Sequence, residues 1–202
     1  MRTTKTIDTS ATELLWRDTD SSVVLTAPHN KAVYREGEYK RRDNNVGVIA
    51  LEAAKIAGVS ALLPLTPGDS DGNWHEGSRF RRTLTALLSP DSTVIDVHGM
   101  SNEHGVDVVI GTAGGRSPLW LSSVVSKAFS ENGFSVEVRD FGPLSASEQT
   151  LTWALSESGY SAIQLEIANK WRVVTGGHDD MTRMINALAA ATSAAEALRD
   201  AL

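Results

Sequence analysis

The clearest pattern along the chain is a set of short apolar runs that each stop at an ionisable residue. Val23-Val24-Leu25-Thr26-Ala27-Pro28 runs into His29, Thr93-Val94-Ile95-Asp96-Val97 into His98 and then Gly99, and Ser161-Ala162-Ile163-Gln164-Leu165 into Glu166. Runs of this length, rich in β-branched residues and bounded by turn formers, read as buried strands. Six segments qualify: residues 22–28, 60–65, 93–98, 106–112, 134–139 and 160–167. Helical spacing fills most of the gaps. Residues 46–57 carry Val48, Leu51, Ala54 and Lys55 at that spacing, with Asp43 or Asn44 as the N-cap. Residues 78–88 gather Phe80, Leu84, Leu87 and Leu88 on one face. Residues 118–132 carry Trp120, Val124, Val125 and Phe129 and stop at Gly133, a natural C-terminal stop. A shorter helix is expected at 145–156. A long alanine-rich one at 179–202 turns Met181, Ile185, Leu188 and Leu198 inward.

Strands alternating with helices predict an α/β fold, a three-layer α/β/α sandwich around a central sheet. The loop 99–105 is too short for a helical crossover, so strands 93–98 and 106–112 are expected to form an antiparallel pair and the sheet to be mixed. The carboxyl ends of strands in an open α/β sheet are where ligands bind. Two imidazoles and a carboxylate at three such ends therefore point to a metal-hydrolase site.

Composition narrows the chemistry. The 202 residues suit one substantial core, so a single domain over 1–202 is expected. A net charge of -6 argues against a nucleic-acid or membrane-surface binder but leaves room for an anionic substrate where arginines gather. There are no cysteines, so any metal must be held by His, Asp or Glu. The N-terminal residues lack the apolar core of a signal peptide, and no stretch approaches the ~20 apolar residues of a membrane span. The expected location is cytoplasmic.

The loop 31–42 after His29 is long, as functional loops often are. Two carboxylates are the ligand candidates, Glu36 within it and Asp43 where the next helix begins; Asp43 is either a helix cap or a ligand. Asp96 shares a strand face with His98 and is a candidate to orient that imidazole; the alternative is a buried carboxylate bonded to backbone or arginine. Glu166, on a sheet rim, would have its pKa raised by desolvation toward the range of a general base; the alternative is an ion pair with Lys170 or Arg172. Zinc suits such a ligand set, because catalytic zinc uses three N/O ligands and keeps a position open. Arg41, Arg42, Arg79, Arg81, Arg82 and Arg172 are candidate carboxylate anchors or simply solvated side chains. His75 and His104 are candidate pocket residues, and His178 reads as a helix-start residue.

Ala27-Pro28-His29, Asp43 at a helix start, Asp96-Val97-His98-Gly99 and Gln164-Leu165-Glu166-Ile167 together resemble the N-formylglutamate amidohydrolase-like family. That family is distantly similar to zinc carboxypeptidases, aspartoacylases and phage poly-γ-glutamate hydrolases. The resemblance covers the chain from Val23 to Arg172. It implies a phosphorylase/hydrolase-like α/β/α fold, zinc on His29 and His98, and Glu166 as base. It selects Asp43 as third ligand in the formylglutamate branch and Glu36 in the other branches; the spacing favours Asp43. Asp71-Gly72-Asn73 with Arg81 and Arg82 is loosely similar to the substrate-binding Asn/Arg segment of the wider superfamily.

The resulting expectation is a zinc-dependent amidohydrolase cleaving the C–N bond of a carboxylate-bearing N-acyl amino acid, γ-glutamyl or peptide substrate. Glu166 would be the base, and Arg82, Arg172, Arg41, Asn73 and His104 the substrate contacts. The alternatives are a non-catalytic carboxylate binder and a metal-free phosphorylase-like enzyme using Gly111-Thr112-Ala113-Gly114-Gly115-Arg116 as an anion loop.

Overall fold

The computed structural model describes residues 6–8, 13–17, 21–68, 70–173 and 179–202; His178 lies outside them. All six expected strands form: β3 (Val23–Thr26), β6 (Ser60–Pro64), β7 (Thr93–Met100), β8 (Val108–Gly111), β9 (Val136–Arg139) and β10 (Ser161–Ala168). Four short strands were not expected: β1 (Thr6–Asp8), β2 (Glu13–Arg17), β4 (Val33–Arg35) and β5 (Glu38–Lys40). The helices are α1 (Val46–Ala57), α2 (Arg79–Leu87), α3 (Leu119–Glu131), α4 (Leu151–Glu157) and α5 (Asp179–Arg199). Among the described residues none is long and apolar enough to cross a membrane.

Eight strands form one mixed sheet in the order β1-β2-β6-β3-β7-β10-β8-β9. The central four, β6, β3, β7 and β10, are parallel, and β8 runs antiparallel to β10. The expected β7–β8 pair is therefore corrected in one respect. The two strands do run in opposite directions, but β10 lies between them and pairs with both. A short loop fixes direction but not adjacency, because a later strand can insert.

Helices α1, α3 and α5 cover one face of the sheet, over a large cluster that includes Leu25, Ile95, Val97, Ile163 and Leu165. Helices α2 and α4 cover the other, where Phe80 and Leu84 of α2 and Leu151 and Leu155 of α4 meet Val24, Leu62, Val94 and Ala162. With both faces covered, the central strands read as continuous apolar runs, as parallel strands do. On the second face the apolar positions of β7 and β10 give way beyond Val94 and Ala162 to polar ones, Asp96 and His98, Gln164 and Glu166, before Met100 and Ala168 close the strands.

Two helix starts differ from expectation. The N-cap of α1 is Asn45, in the left-handed region at φ 59°, and its amide donates to the Arg172 carbonyl. Asp43 is thereby released from capping. Helix α4 begins at Leu151 rather than near 145, capped by the Thr150 hydroxyl on the Trp153 amide. The residues before it cannot be helical, since Leu144, Ala146 and Gln149 all have positive φ (68°, 60° and 77°).

Candidate metal centre

In neighbouring strands, residues directly opposite each other share a face. The register sets Thr26 beside Asp96, Asp96 beside Gln164, and His98 beside Glu166. These five residues make the polar end of the α2/α4 face, and all are buried. His29 joins them from the single helical turn Pro28–Asn30 that follows β3, where Pro28 presets the first position. The Asp43 amide donates to the His29 carbonyl (2.9 Å), which pins the return of the loop against the strand end.

The two imidazoles turn their Nδ1 atoms toward each other at 2.9 Å. Asp43 Oδ2 lies 3.6 Å from one and 3.7 Å from the other. Each Nε2 is held by a buried carboxylate. His29 Nε2 is 2.9 Å from Asp71 Oδ1, and His98 Nε2 is 2.9 Å from Asp96 Oδ2. Those carboxylates are themselves fixed. Asp96 accepts from the Thr26 hydroxyl at 2.6 Å; Asp71 accepts from the Asn73 amide and is ion-paired with Arg35. A carboxylate accepting from Nε2 places the lone pair on Nδ1, the state a metal ligand needs. Two such nitrogens at 2.9 Å repel unless a cation, a proton or a metal ion, lies between them.

The spacing suits a small tetrahedral ion, whose ligand atoms stand about 3.3 Å apart for bonds of ~2.0–2.1 Å. Of the two candidate third ligands, Asp43 joins the cluster, whereas exposed Glu36 receives the Trp74 indole N–H. Charge supports the same picture. Burial works against ionising Asp43, but hydrogen bonds and positive charge from the two imidazoles outweigh it and hold the carboxyl well below its usual range. Burial likewise opposes charge on His98, yet the Asp96 and Asp43 carboxylates push it up to about 10.

A cavity of about 290 Å³ opens over this cluster, lined also by Arg35, Lys40, Asn73, Trp74, Gln164 and Glu166. Burial raises the pKa of Glu166, and the charge of Asp43 adds to this against the pull of His98. Its Oε1 accepts from the Gln164 amide at 2.8 Å. The wall opposite is the segment with three left-handed residues, which contributes Leu144, Ala146, Ser147 and Thr150. Strained backbone of this kind concentrates around functional sites.

The structure thus brings together His29, Asp43, His98, Glu166 and Asn73. It does not bring in the other expected contacts. Arg41 is exposed and does not line the cavity. Arg82 is exposed, donates to the Gly77 carbonyl, and lines a different cavity between α2 and α4. Arg172 is buried but donates to the carbonyls of Ile167, Asn44 and Met100, so its fork is spent on backbone. Arg81 is spent likewise, on Gly72, Asn73 and Gln149. His104 is exposed on a short turn, and His75 accepts the Asp71 amide within its own loop. Glu166 pairs with neither Lys170, which binds Asp107, nor Arg172. The 111–116 loop commits the amides of Ala113 and Gly114 to the Ser145 and Asp140 carbonyls, which leaves it unsuited to an anion.

The cations that do line the cavity, Arg35 and Lys40, come from a hairpin hidden in the "loop" after His29. Strands β4 and β5 pair across Glu36-Gly37, both at positive φ. The pairing puts Val33, Lys40 and Arg35 on one face and the exposed Tyr34–Tyr39 pair on the other. Glu-Gly between two short polar-aromatic stretches was the available signal.

No protein-family model matches the chain, and no curated protein matches it in sequence. Solved structures do match. N-formylglutamate amidohydrolase from Ralstonia eutropha JMP134 superposes with a TM-score of 0.68 at 16% identity, over 95% of this chain and 100% of that one. This chain shares that fold. A bacteriophage poly-gamma-glutamate hydrolase matches with a TM-score of 0.59 at 13% identity, over 96% of this chain and 92% of that one. A metallo-carboxypeptidase from Burkholderia cenocepacia gives 0.55 at 12% identity, over 94% of this chain and 60% of that longer one. The shared fold spans nearly the whole chain, as the sequence resemblance implies.

Proposed function

We propose that the chain is a zinc-dependent hydrolase of an amide C–N bond, acting on a carboxylate-bearing N-acyl amino acid, γ-glutamyl compound or short peptide. One observation carries the reading. Two imidazole Nδ1 atoms and Asp43 Oδ2 converge beside a buried, basic Glu166 in one cavity. The fold shared with an amidohydrolase, a poly-gamma-glutamate hydrolase and a metallo-carboxypeptidase supports it.

His29 Nδ1, Asp43 and His98 Nδ1 are the residues that would hold zinc, which supplies Lewis acidity to a carbonyl and acidifies a water toward neutrality. Asp71 and Asp96 keep both imidazoles in the ligating tautomer. Glu166 takes a proton from the attacking water and returns it to the leaving nitrogen. Its raised pKa suits both halves of that transfer. The Gln164 amide keeps its carboxylate aimed into the cavity.

The test is Glu166→Gln assayed on a panel of N-formyl and N-acyl amino acids and γ-glutamyl peptides. The variant should lose turnover by about 10²-fold or more while binding zinc as the wild type does. Unchanged turnover removes Glu166 from the mechanism. A wild type that holds zinc and cleaves nothing in the panel favours the non-catalytic carboxylate binder.

A further inference from the structure

With Arg41, Arg82 and Arg172 all turned away, the question is which group meets the negative oxygen of the substrate. Two cations line the cavity among the described residues. Arg35 is already committed. Its Nε and Nη2 lie 2.8 and 2.6 Å from Asp71 Oδ2, and its guanidinium stacks 4.4 Å over Trp74. Lys40 is not. Its Nζ forms no ion pair with any described carboxylate, and its one hydrogen bond runs 3.2 Å to His29 Nδ1. That acceptor is the atom the centre uses as a ligand, so Lys40 loses its partner whenever His29 ligates. An ammonium has three N–H donors and no other side chain of the described residues then satisfies them.

The position is fixed by the hairpin. Lys40 closes β5 opposite Val33, and the chain then passes two exposed arginines to reach Asp43. Val33 is buried, which anchors the strand end and aims Lys40 inward while Arg41 and Arg42 stay in solvent. Burial and the nearby Arg35 charge lower the Lys40 pKa, whereas Asp43, Asp71 and Glu166 raise it.

We propose that Lys40 is the oxyanion-binding cation of this site, its Nζ receiving the oxygen of the scissile carbonyl as negative charge develops there. The proposal rests on the hydrolase reading and adds a catalytic residue to it. A contact 3.2 Å from a ligand atom lies at the reacting centre rather than at a remote carboxylate of the substrate. Its effect should therefore fall on kcat more than on KM.

The test uses Lys40→Met, which keeps most of the stem, and Lys40→Arg, which keeps the charge. On an amide the wild type cleaves, Lys40→Met should lower kcat about 100-fold with KM within about threefold, the size expected for one lost oxyanion donor. Lys40→Arg should recover most of that loss. A second arm needs no turnover: inorganic phosphate, a tetrahedral anion, is titrated calorimetrically into the zinc-loaded proteins. Phosphate should bind Lys40→Met at least tenfold more weakly than wild type and bind Lys40→Arg nearly normally. Equal phosphate affinity in wild type and Lys40→Met overturns the proposal, as does a Lys40→Met enzyme whose kcat holds within threefold or whose loss lies in KM alone. If the wild type cleaves no amide, the hydrolase reading fails on its own terms, and the phosphate arm still decides for or against Lys40.

Discussion

At the scale of single residues, the centre depends on carboxylates that never touch the reacting atoms. Asp71 does two things at once: it holds His29 Nε2 and absorbs the Arg35 charge. Asp71→Asn keeps the shape but removes the charge that fixes the imidazole and leaves Arg35 unpaired. Zinc affinity should fall about 10- to 100-fold, the usual cost of losing such a partner, as read by competition with a chelator of known affinity. A glycine after His98 permits a sharp turn or a close approach, and since β7 continues through Gly99 to Met100 it is the close approach that is used here. The glycine is required by packing, since a Cβ there would lie 2.3 Å from the Arg172 guanidinium carbon. Its amide also donates to Asp43 Oδ2 at 3.1 Å, so the same close approach that excludes a side chain seats the third candidate ligand.

At the scale of elements, the strands and helices of the layers were legible, and the segments that bear on the cavity were less so. Strands β3, β7 and β10 announce themselves because both their faces are buried, which leaves unbroken apolar runs, and each run ends at the residue that forms the site. The β4–β5 hairpin carries no such run. Its tyrosines are exposed and its inward face has one buried apolar residue, Val33, beside the cations Arg35 and Lys40, so no apolar period shows and the stretch reads as a long loop. Lys40 and Arg35 were hidden with it, and the visible arginines at 41, 82 and 172 drew the assignment instead. Arginine count is a poor guide here because the buried forks of Arg81 and Arg172 are consumed by backbone carbonyls. The segment before α4 shows the same limit, for helix-favouring residues are held there in left-handed conformations. Gln149 is exposed at φ 77° and meets the structure mainly through its backbone carbonyl. Gln149→Gly should therefore stabilise the protein by up to ~1 kcal/mol, visible as a higher Tm, because glycine removes the left-handed strain faster than it adds chain entropy. A drop in Tm would show that the segment is relaxed as it stands.

At the scale of the whole molecule, the sheet is tied together at its β8 side by one acid. Asp107, just before β8, accepts from the Ser135 amide and hydroxyl ahead of β9 and from the Trp171 indole beyond β10, and pairs with Lys170. Burial opposes its charge, but these hydrogen bonds, that of Lys170 foremost, hold the carboxyl well below its usual range. The folded-state pKa is thus depressed relative to an unfolded value near ~3.9. The contribution is fully present above that value and is lost as pH falls toward the folded pKa. Asp107→Asn should cost about 1–3 kcal/mol at pH 7 in urea unfolding, and the gap to wild type should begin to narrow as pH falls below about 4. A gap that stayed constant with pH would mean that shape, not charge, is what the site supplies.

The centre itself is the molecule's most specific commitment: three donors from three parts of the chain, each imidazole backed by its own buried carboxylate. The most direct measurement is zinc content and affinity of the purified protein, compared with His98→Ala. Wild type should retain one equivalent of zinc through dialysis, with binding that weakens as acid protonates the imidazoles, and His98→Ala should lose that equivalent with the fold intact. A wild type that takes up no zinc, or a His98→Ala variant that holds it as tightly, would contradict a zinc centre at these residues.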